Sequence, residues 1–118
     1  MKLPTAAPGE IIAWCRIVSS AHGFQGIGEL VLLADGRLLR RRWNDLGAPP
    51  PYAPAPAIDL PREIAALATA GTVPRTDTRI ATIEVSSGLT TPYPRPLLGH
   101  AQLDHPADRL YAAVWDWP

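Results

Sequence analysis

Four side chains that could bind a metal ion lie within ten residues, in the segment GHAQLDHPAD at positions 99–108. Imidazole and carboxylate groups together form a ligand set that zinc or iron accepts. The candidate ligands are His100, Asp104, His105 and Asp108. Pro106 argues against one continuous helix that would bring them to a single face. The same segment also suits a helix start, in which Asp104 or His105 caps the helix and Asp108 lies in its first turn.

A second group of reactive side chains lies near the N-terminus: Cys15, Ser19, Ser20 and His22. Covalent catalysis needs a nucleophile beside a general base. A strand over residues 10–18 would instead direct Cys15 toward the core, where a free cysteine behaves as a small apolar side chain. We therefore expect no catalytic residue from this group. No recognisable cofactor motif occurs in the chain either, so we expect no cofactor.

Three arginines and a tryptophan at positions 40–43 could bind phosphate or stack against a base. A run divided between the two faces of a strand makes only a small basic patch, and the 11 basic residues of the chain are balanced by 11 acidic ones. The structural alternative pairs Arg42 with Glu29 across a hairpin. The sequence thus favours a protein partner over nucleic acid.

The hairpin is predicted by the segment ELVLLADGRLLRRRW at positions 29–43. Asp35 and Gly36 are the residue types that best tolerate the positive φ angles of a two-residue turn. Such a turn would pair Leu33 with Leu38 and, farther along, Glu29 with Arg42. The hairpin would then be apolar on both faces near its turn and basic at its open end.

Alternating apolar residues also predict strands over 10–18 and 79–85, with a return strand over 89–93. Pro92 places that return strand at a sheet edge. The glycine-rich stretch 19–28 indicates an irregular loop or a bulged strand entry. Asp59 predicts the N-cap of a helix over 60–70, and Gly71 predicts its end. Residues 106–117 fit either a second helix or a final strand.

This order of elements predicts an α+β fold with a small antiparallel sheet of about four to five strands and one or two helices on one face. The 118 residues form one domain, 1–118. Within it, five prolines in positions 44–57 predict an extended surface loop. The loop contains PPPY at positions 49–52, which matches the PPxY pattern bound by WW domains.

Three further features of the sequence indicate where in the cell the protein is located. The first ten residues contain no apolar stretch typical of a secretory signal. No apolar run approaches the roughly 20 residues that a membrane-spanning helix needs. The single cysteine excludes an internal disulfide and is compatible with a reducing compartment. We therefore expect a cytoplasmic protein without a membrane partner.

The order of elements over residues 12–90 resembles that of the emfourin-type small protein inhibitors of thermolysin-like metalloproteases. The stretch SSAHGF at positions 19–24 is similar to the Ser-Gly-Gly-Phe pattern of that family, with His22 in place of the first glycine. The chain after Pro92 departs from the family. The resemblance implies a non-enzymatic protein that blocks a protease cleft, and no functional residue is transferred from it.

Tryptophan and arginine dominate the binding energy of many protein interfaces. The sequence therefore predicts a non-enzymatic protein-binding module, such as a small inhibitor, immunity or accessory protein, that acts through a hairpin face. The expected contact residues are Trp14, Arg40, Arg41, Trp43 and Tyr52. We expect Arg41→Ala and Trp43→Ala to weaken binding without unfolding the protein.

A homodimer is also compatible with the sequence, because an open sheet edge can be covered by a second copy. A metal-dependent or small-ligand protein built on the His/Asp segment is the alternative.

Overall fold

One antiparallel sheet with two helices on one of its faces makes up the computed structural model, which describes residues 11–21, 24–44, 46–55, 57–71, 73, 80–95 and 104–115. Its elements in chain order are β1 (Ile11–Ala21), β2 (Phe24–Leu33), β3 (Leu38–Asn44), β4 (Ala53–Pro54), α1 (Leu60–Ala70), β5 (Ile80–Val85), β6 (Thr90–Pro94) and α2 (Pro106–Trp115). The strand order is β4-β3-β2-β1-β5-β6, and all neighbouring strands are antiparallel.

The α+β prediction is confirmed, with six strands in the described residues instead of four to five. The additional strand is β4, which lies inside the proline-rich segment and pairs with the outer edge of β3. Proline is compatible with this position because an edge strand need not donate hydrogen bonds on its free side. Pro92 likewise lies in the other edge strand, β6, as predicted.

The core lies between the sheet and the helices. Alternate residues of β1 face it, and Ala13, Cys15 and Ile17 are buried there, which confirms the core position predicted for Cys15. Ile11 does not follow this alternation, because the register shifts between it and Ala13. The helices contribute the buried side chains Leu60, Ile64, Leu67, Leu110, Ala113 and Val114. No helix in the described parts of the chain is long and apolar enough to cross a membrane.

The β2–β3 hairpin forms where predicted, but its register is shifted by one residue. Leu32 pairs with Leu38, and Glu29 pairs with Arg41 instead of Arg42. The N–H of Leu33 donates to the carbonyl of Arg37 across a three-residue loop, in which Gly36 has a positive φ, of 93°. A type I turn followed by a left-handed residue gives such a loop. The predicted two-residue turn was therefore wrong.

Helix α1 begins and ends as its capping residues predict. The carboxylate of Asp59 accepts a hydrogen bond from the N–H of Arg62 at 3.2 Å. Gly71, with φ of 72°, donates its N–H to the carbonyl of Leu67. Both caps act within one turn of chain, so local sequence is sufficient to place the ends of this helix.

Residues 106–115 form helix α2, which resolves the choice between helix and strand. The backbone N–H of Arg109 donates to the carbonyl of His105. The helix packs on β2 at Gly26 and Gly28, which belong to a regular strand and not to the predicted irregular loop. A Cβ added at Gly28 would lie 2.0 Å from a methyl carbon of Val114. Glycine is needed at position 28 because the helix approaches the strand backbone closely there.

Candidate functional site

The face of the sheet opposite the two helices, called here the helix-free face, carries the residues that alternate with the core positions. In β1 these are Trp14, Arg16 and Val18, and in β5 they are Ile80, Thr82 and Glu84. In β2 they are Ile27, Glu29 and Val31, and in β3 they are Leu39, Arg41 and Trp43. The pairing of strands arranges these side chains in rows across the sheet.

One row consists of alternating charges. Glu84 pairs with Arg16, Arg16 pairs with Glu29, and Glu29 pairs with Arg41. The row therefore crosses β5, β1, β2 and β3 with the signs minus, plus, minus, plus. Because opposite charges are direct cross-strand neighbours, each pair favours the observed register.

Glu29 is the centre of this charged row, and its side chain is fully buried. Arg16 donates to the Oε2 atom of Glu29 from Nε at 3.1 Å and from Nη2 at 3.0 Å. Arg41 donates from Nε to the Oε1 atom at 2.8 Å. The hydroxyl of Tyr52 reaches the same Oε1 at 3.4 Å. Both oxygens of the buried carboxylate are thus satisfied by hydrogen bonds, two of the donors being charged.

Arg41 is held between this carboxylate and two aromatic rings. Its Cζ atom lies 4.7 Å from the ring centroid of Trp43 and 4.3 Å from that of Tyr52, both within the range of a cation–π interaction. Its Nη1 atom also donates to the carbonyl of Pro50 at 3.4 Å. The guanidinium group therefore fixes the proline-rich loop and the Trp43 ring on the helix-free face.

Tyr52 is the aromatic residue of the PPPY motif, and it is half-buried on this face. Burial, followed by the charge of Glu29, raises the pKa of its hydroxyl to about 12. The hydroxyl stays protonated at neutral pH and can donate to Glu29. A WW domain would have to displace Tyr52 from both Glu29 and Arg41 before it could bind the motif. The internal contacts of Tyr52 therefore compete with binding of the PPxY motif by a WW domain.

An apolar row lies beside the charged row. Thr82 pairs with Val18, Val18 pairs with Ile27, and Ile27 pairs with Trp43, and all four side chains are half-buried. Ile80 lies on the same face at the start of β5 and is 56% exposed. The helix-free face thus presents an apolar row next to a row of paired charges.

Of the five predicted contact residues, Arg40 lies on the opposite face. It is buried against α2, where its Nη1 atom donates to the carbonyl of Ala113 at 2.9 Å. Arg42 is on that same side and donates to the carbonyl of Trp115 at 2.5 Å. The predicted Arg42–Glu29 pair does not form, because the register places Arg41 opposite Glu29. Trp14 remains on the helix-free face, half-buried.

The metal-site hypothesis receives no support from the described residues. Asp104 is exposed, whereas Asp108 is fully buried and accepts a hydrogen bond from the hydroxyl of Tyr93. His105 uses its Nδ1 atom to accept from the N–H of Ala107 at 3.1 Å. His100 lies outside the described residues. No group of three or more His, Cys, Asp or Glu side chains in the described ranges is arranged to hold a metal ion.

The two described side chains of the candidate nucleophile group, Cys15 and Ser19, have structural environments. Cys15 is buried in the core, and burial raises the pKa of its thiol to about 12, so the reactive thiolate is disfavoured at neutral pH. The hydroxyl of Ser19 accepts a hydrogen bond from Arg95 at 2.8 Å. His22 and the side chain of Ser20 lie outside the described residues. The small-apolar role predicted for Cys15 is the one observed.

Comparison with protein-family models, with curated proteins and with solved structures finds no match to this chain. The resemblance to emfourin-type inhibitors therefore stays a prediction. Sequence reasoning missed one important residue, Arg16, as a partner of Glu29. The sequence pattern places Arg16 on the face of β1 opposite the core positions. Its pairing with Glu29, however, depends on the register between β1 and β2.

Proposed function

We propose that this chain is a non-enzymatic protein-binding module, such as a small inhibitor, immunity or accessory protein, and that it binds its partner through the helix-free face. The observation that supports this best is the arrangement of Arg41, held by buried Glu29 against the rings of Trp43 and Tyr52. It fixes two large aromatic side chains on a face that neither helix covers.

Such fixed aromatic groups favour binding for a physical reason. A flexible side chain loses conformational freedom when it enters an interface, and a side chain that is already immobilised loses less. Tryptophan, tyrosine and arginine are also enriched among the residues that dominate interface energies. Arg41 is only 5% exposed, so it acts mainly by positioning the two rings, while Trp43 is more accessible to a partner.

The buried acidic groups of the described residues support a non-enzymatic role. Glu29 pairs with two arginines, Glu63 pairs with Arg109 at 2.6 Å, and Asp108 bonds to Tyr93. General acid–base catalysis requires groups that converge on a substrate and can exchange protons with it. Carboxylates engaged in internal structural pairs fit that requirement poorly.

The test uses Trp43→Ala with Arg37→Ala as its control. Arg37 is an exposed arginine at the β2–β3 turn, away from the aromatic groups. Each purified, tagged variant serves as bait in a lysate of the native host, and the captured proteins are quantified. We expect Trp43→Ala to reduce partner recovery about tenfold or more, as for an interface hot spot, and Arg37→Ala to leave it unchanged. Equal recovery by both variants would contradict the proposal.

Arg41→Ala is no longer a suitable test of binding. Its guanidinium is buried beside Glu29, so its removal would leave a buried carboxylate with one charged partner fewer. We therefore expect Arg41→Ala to destabilise the fold, in contrast to the expectation from the sequence alone. Thermal melts of the Trp43→Ala and Arg37→Ala proteins show whether any loss of binding occurs in a folded molecule.

A further inference from the structure

We propose that prolines in the two edge strands, β4 and β6, prevent a further strand from adding to the sheet, whether from a second copy of this chain or from an extended peptide. The prolines are Pro54 in β4, and Pro92 and Pro94 in β6. The inference goes beyond the proposed function, because it concerns the edges of the sheet and not its helix-free face. It rests on the hydrogen-bonding register of the two strands.

An edge strand ordinarily offers a site for strand pairing. In an antiparallel ladder the backbone groups of successive residues point alternately to the two sides, so every second residue of an edge strand directs its N–H and C=O outward. An added strand binds those outward groups. A proline at an outward position has no N–H to donate, and its ring fills the space beside the backbone nitrogen. Whether a proline blocks pairing therefore depends on which way its residue faces.

The register of β6 places both of its prolines at outward positions. The N–H of Val85 donates to the carbonyl of Leu89 at 3.1 Å, so this pair is hydrogen-bonded. Pairs along the ladder are alternately hydrogen-bonded and not, and Pro92 and Pro94 each lie an odd number of residues from Leu89. Their backbone groups therefore point away from β5. Within β6, Thr90 alone directs an N–H outward.

Position 92 is also protected by its acceptor group. The hydroxyl of Thr91 donates to the carbonyl of Pro92 at 3.4 Å. Pro92 itself is exposed. A strand that approaches the middle of β6 thus meets a proline ring where a donor is needed, and a carbonyl that already has a hydrogen bond.

The opposite edge has the same arrangement in a shorter strand. The N–H of Ala55 donates to the carbonyl of Leu38 at 3.0 Å. Pro54 is the next residue along the ladder, where it pairs with Leu39, so its backbone groups point away from β3. Because β4 contains only Ala53–Pro54, the proline occupies its one outward position. Both edge strands thus carry proline at outward positions and none at inward positions.

This arrangement limits how the chain can associate. A homodimer built by pairing of edge strands is disfavoured at β4 and at β6, although the sequence alone is compatible with it. An extended peptide that adds a strand to either edge is disfavoured for the same reason. Partners must therefore be recognised through side chains, and not through backbone pairing at these two strands.

Pro92→Thr tests the proposal, because it restores an N–H at the exposed outward position of β6. Two copies can then pair their β6 strands antiparallel, each donating from position 92 to the other. Two added hydrogen bonds correspond to self-association about tenfold tighter than that of the wild type, measured by sedimentation equilibrium. The amide of Thr90 should also exchange hydrogen more slowly in the associated variant. Pro61→Thr makes the same change at an exposed position in the first turn of α1 and should sediment as the wild type does.

A folded Pro92→Thr protein that associates no more tightly than Pro61→Thr would overturn the proposal, and circular dichroism melts show that both are folded. Thr90→Pro and Thr91→Pro test the register without relying on association. The N–H of Thr90 faces outward, whereas that of Thr91 faces β5, so the urea midpoint of Thr91→Pro should be clearly the lower of the two. Equal midpoints would show that the prolines of β6 do not face outward and would likewise overturn the proposal.

Discussion

Glu29 is the residue on which the helix-free face depends. Its buried carboxylate holds Arg16 from one neighbouring strand and Arg41 from the other. Burial of one charge would be costly, but here two guanidinium groups and a hydroxyl compensate it. The same contacts fix the orientation of the aromatic rings that we propose as the binding surface.

Glu29→Gln should therefore lower the free energy of unfolding by about 3 kcal/mol, because it removes the counter-charge of the buried Arg41 guanidinium. Urea unfolding measures the loss. Glu84→Gln is the matched control, since it changes the same residue type in the same row at a half-buried position. We expect the control to cost less than about 1 kcal/mol. Similar losses in the two variants would show that Glu29 has no special structural role.

Tyr52 makes the stability of the folded protein decrease as the pH becomes alkaline. The pKa of a tyrosine is about 10 in an unfolded chain and about 12 for Tyr52 in the folded protein. The stabilisation that follows from this raised pKa is complete below pH 10 and is lost as the pH rises through 12. Cys15, whose pKa is also raised to about 12, adds a loss in the same direction.

Comparison of wild type with Tyr52→Phe isolates the tyrosine contribution, because Cys15 titrates in both. Between pH 9 and pH 11.5, the urea midpoint of the wild type should fall farther than that of Tyr52→Phe. Identical falls in the two proteins would mean that Tyr52 is not held in its buried, hydrogen-bonded position in solution.

At the scale of elements, sequence reasoning succeeded where the signal is local. The ends of α1 follow from Asp59 and Gly71, which act within one turn of helix. The predicted register of the β2–β3 hairpin was wrong by one residue, because Asp35 and Gly36 are compatible with both a two-residue and a three-residue loop. The carboxylate of Asp35 accepts a hydrogen bond from the N–H of Arg37 at 3.0 Å, a side-chain contact typical of the observed turn.

That error of one residue also changed the predicted face of the arginines. In a strand, neighbouring residues point to opposite sides, so a shift in register exchanges their environments. Arg41 took the place beside Glu29 that was predicted for Arg42. Arg40, predicted to bind a partner, instead contacts the C-terminal part of α2.

The packing of α2 on β2 gives a prediction at this scale. A Cβ at Gly28 would lie 2.0 Å from Val114, so Gly28→Ala forces the helix away from the sheet. We expect it to lower the free energy of unfolding by about 1–3 kcal/mol, as overpacking of a core does. The comparison is Gly26→Ala, whose Cβ would lie 3.3 Å from the ring of Trp115.

Gly26→Ala should cost less than about 1 kcal/mol, because a shift of a few tenths of an ångström accommodates it. Urea unfolding of both variants gives the difference directly. Equal effects at the two positions would contradict the close approach of the helix at Gly28. This approach could not be predicted from the residues alone, since glycines in a strand and glycines in a loop look alike without knowledge of what packs on them.

At the scale of the whole molecule, the candidate binding surface combines residues from four strands and a loop. The sequence identified Trp14, Arg41, Trp43 and Tyr52 as candidates from residue type alone. It did not reveal that β1 lies between β2 and β5, and so it missed the row that joins Glu84, Arg16, Glu29 and Arg41. That row depends on strand pairing between distant segments, for which a single sequence contains little information.

Site-specific photocrosslinking in the native host tests most directly whether the helix-free face binds a protein. A photoreactive amino acid is introduced at Thr82 on this face or at Ala65 on the exposed side of α1. We predict a discrete crosslinked product with another protein from position 82 and none from position 65, and the product should disappear when Trp43→Ala is added. Crosslinking from position 65 alone, or no product from position 82, would contradict the proposed binding face.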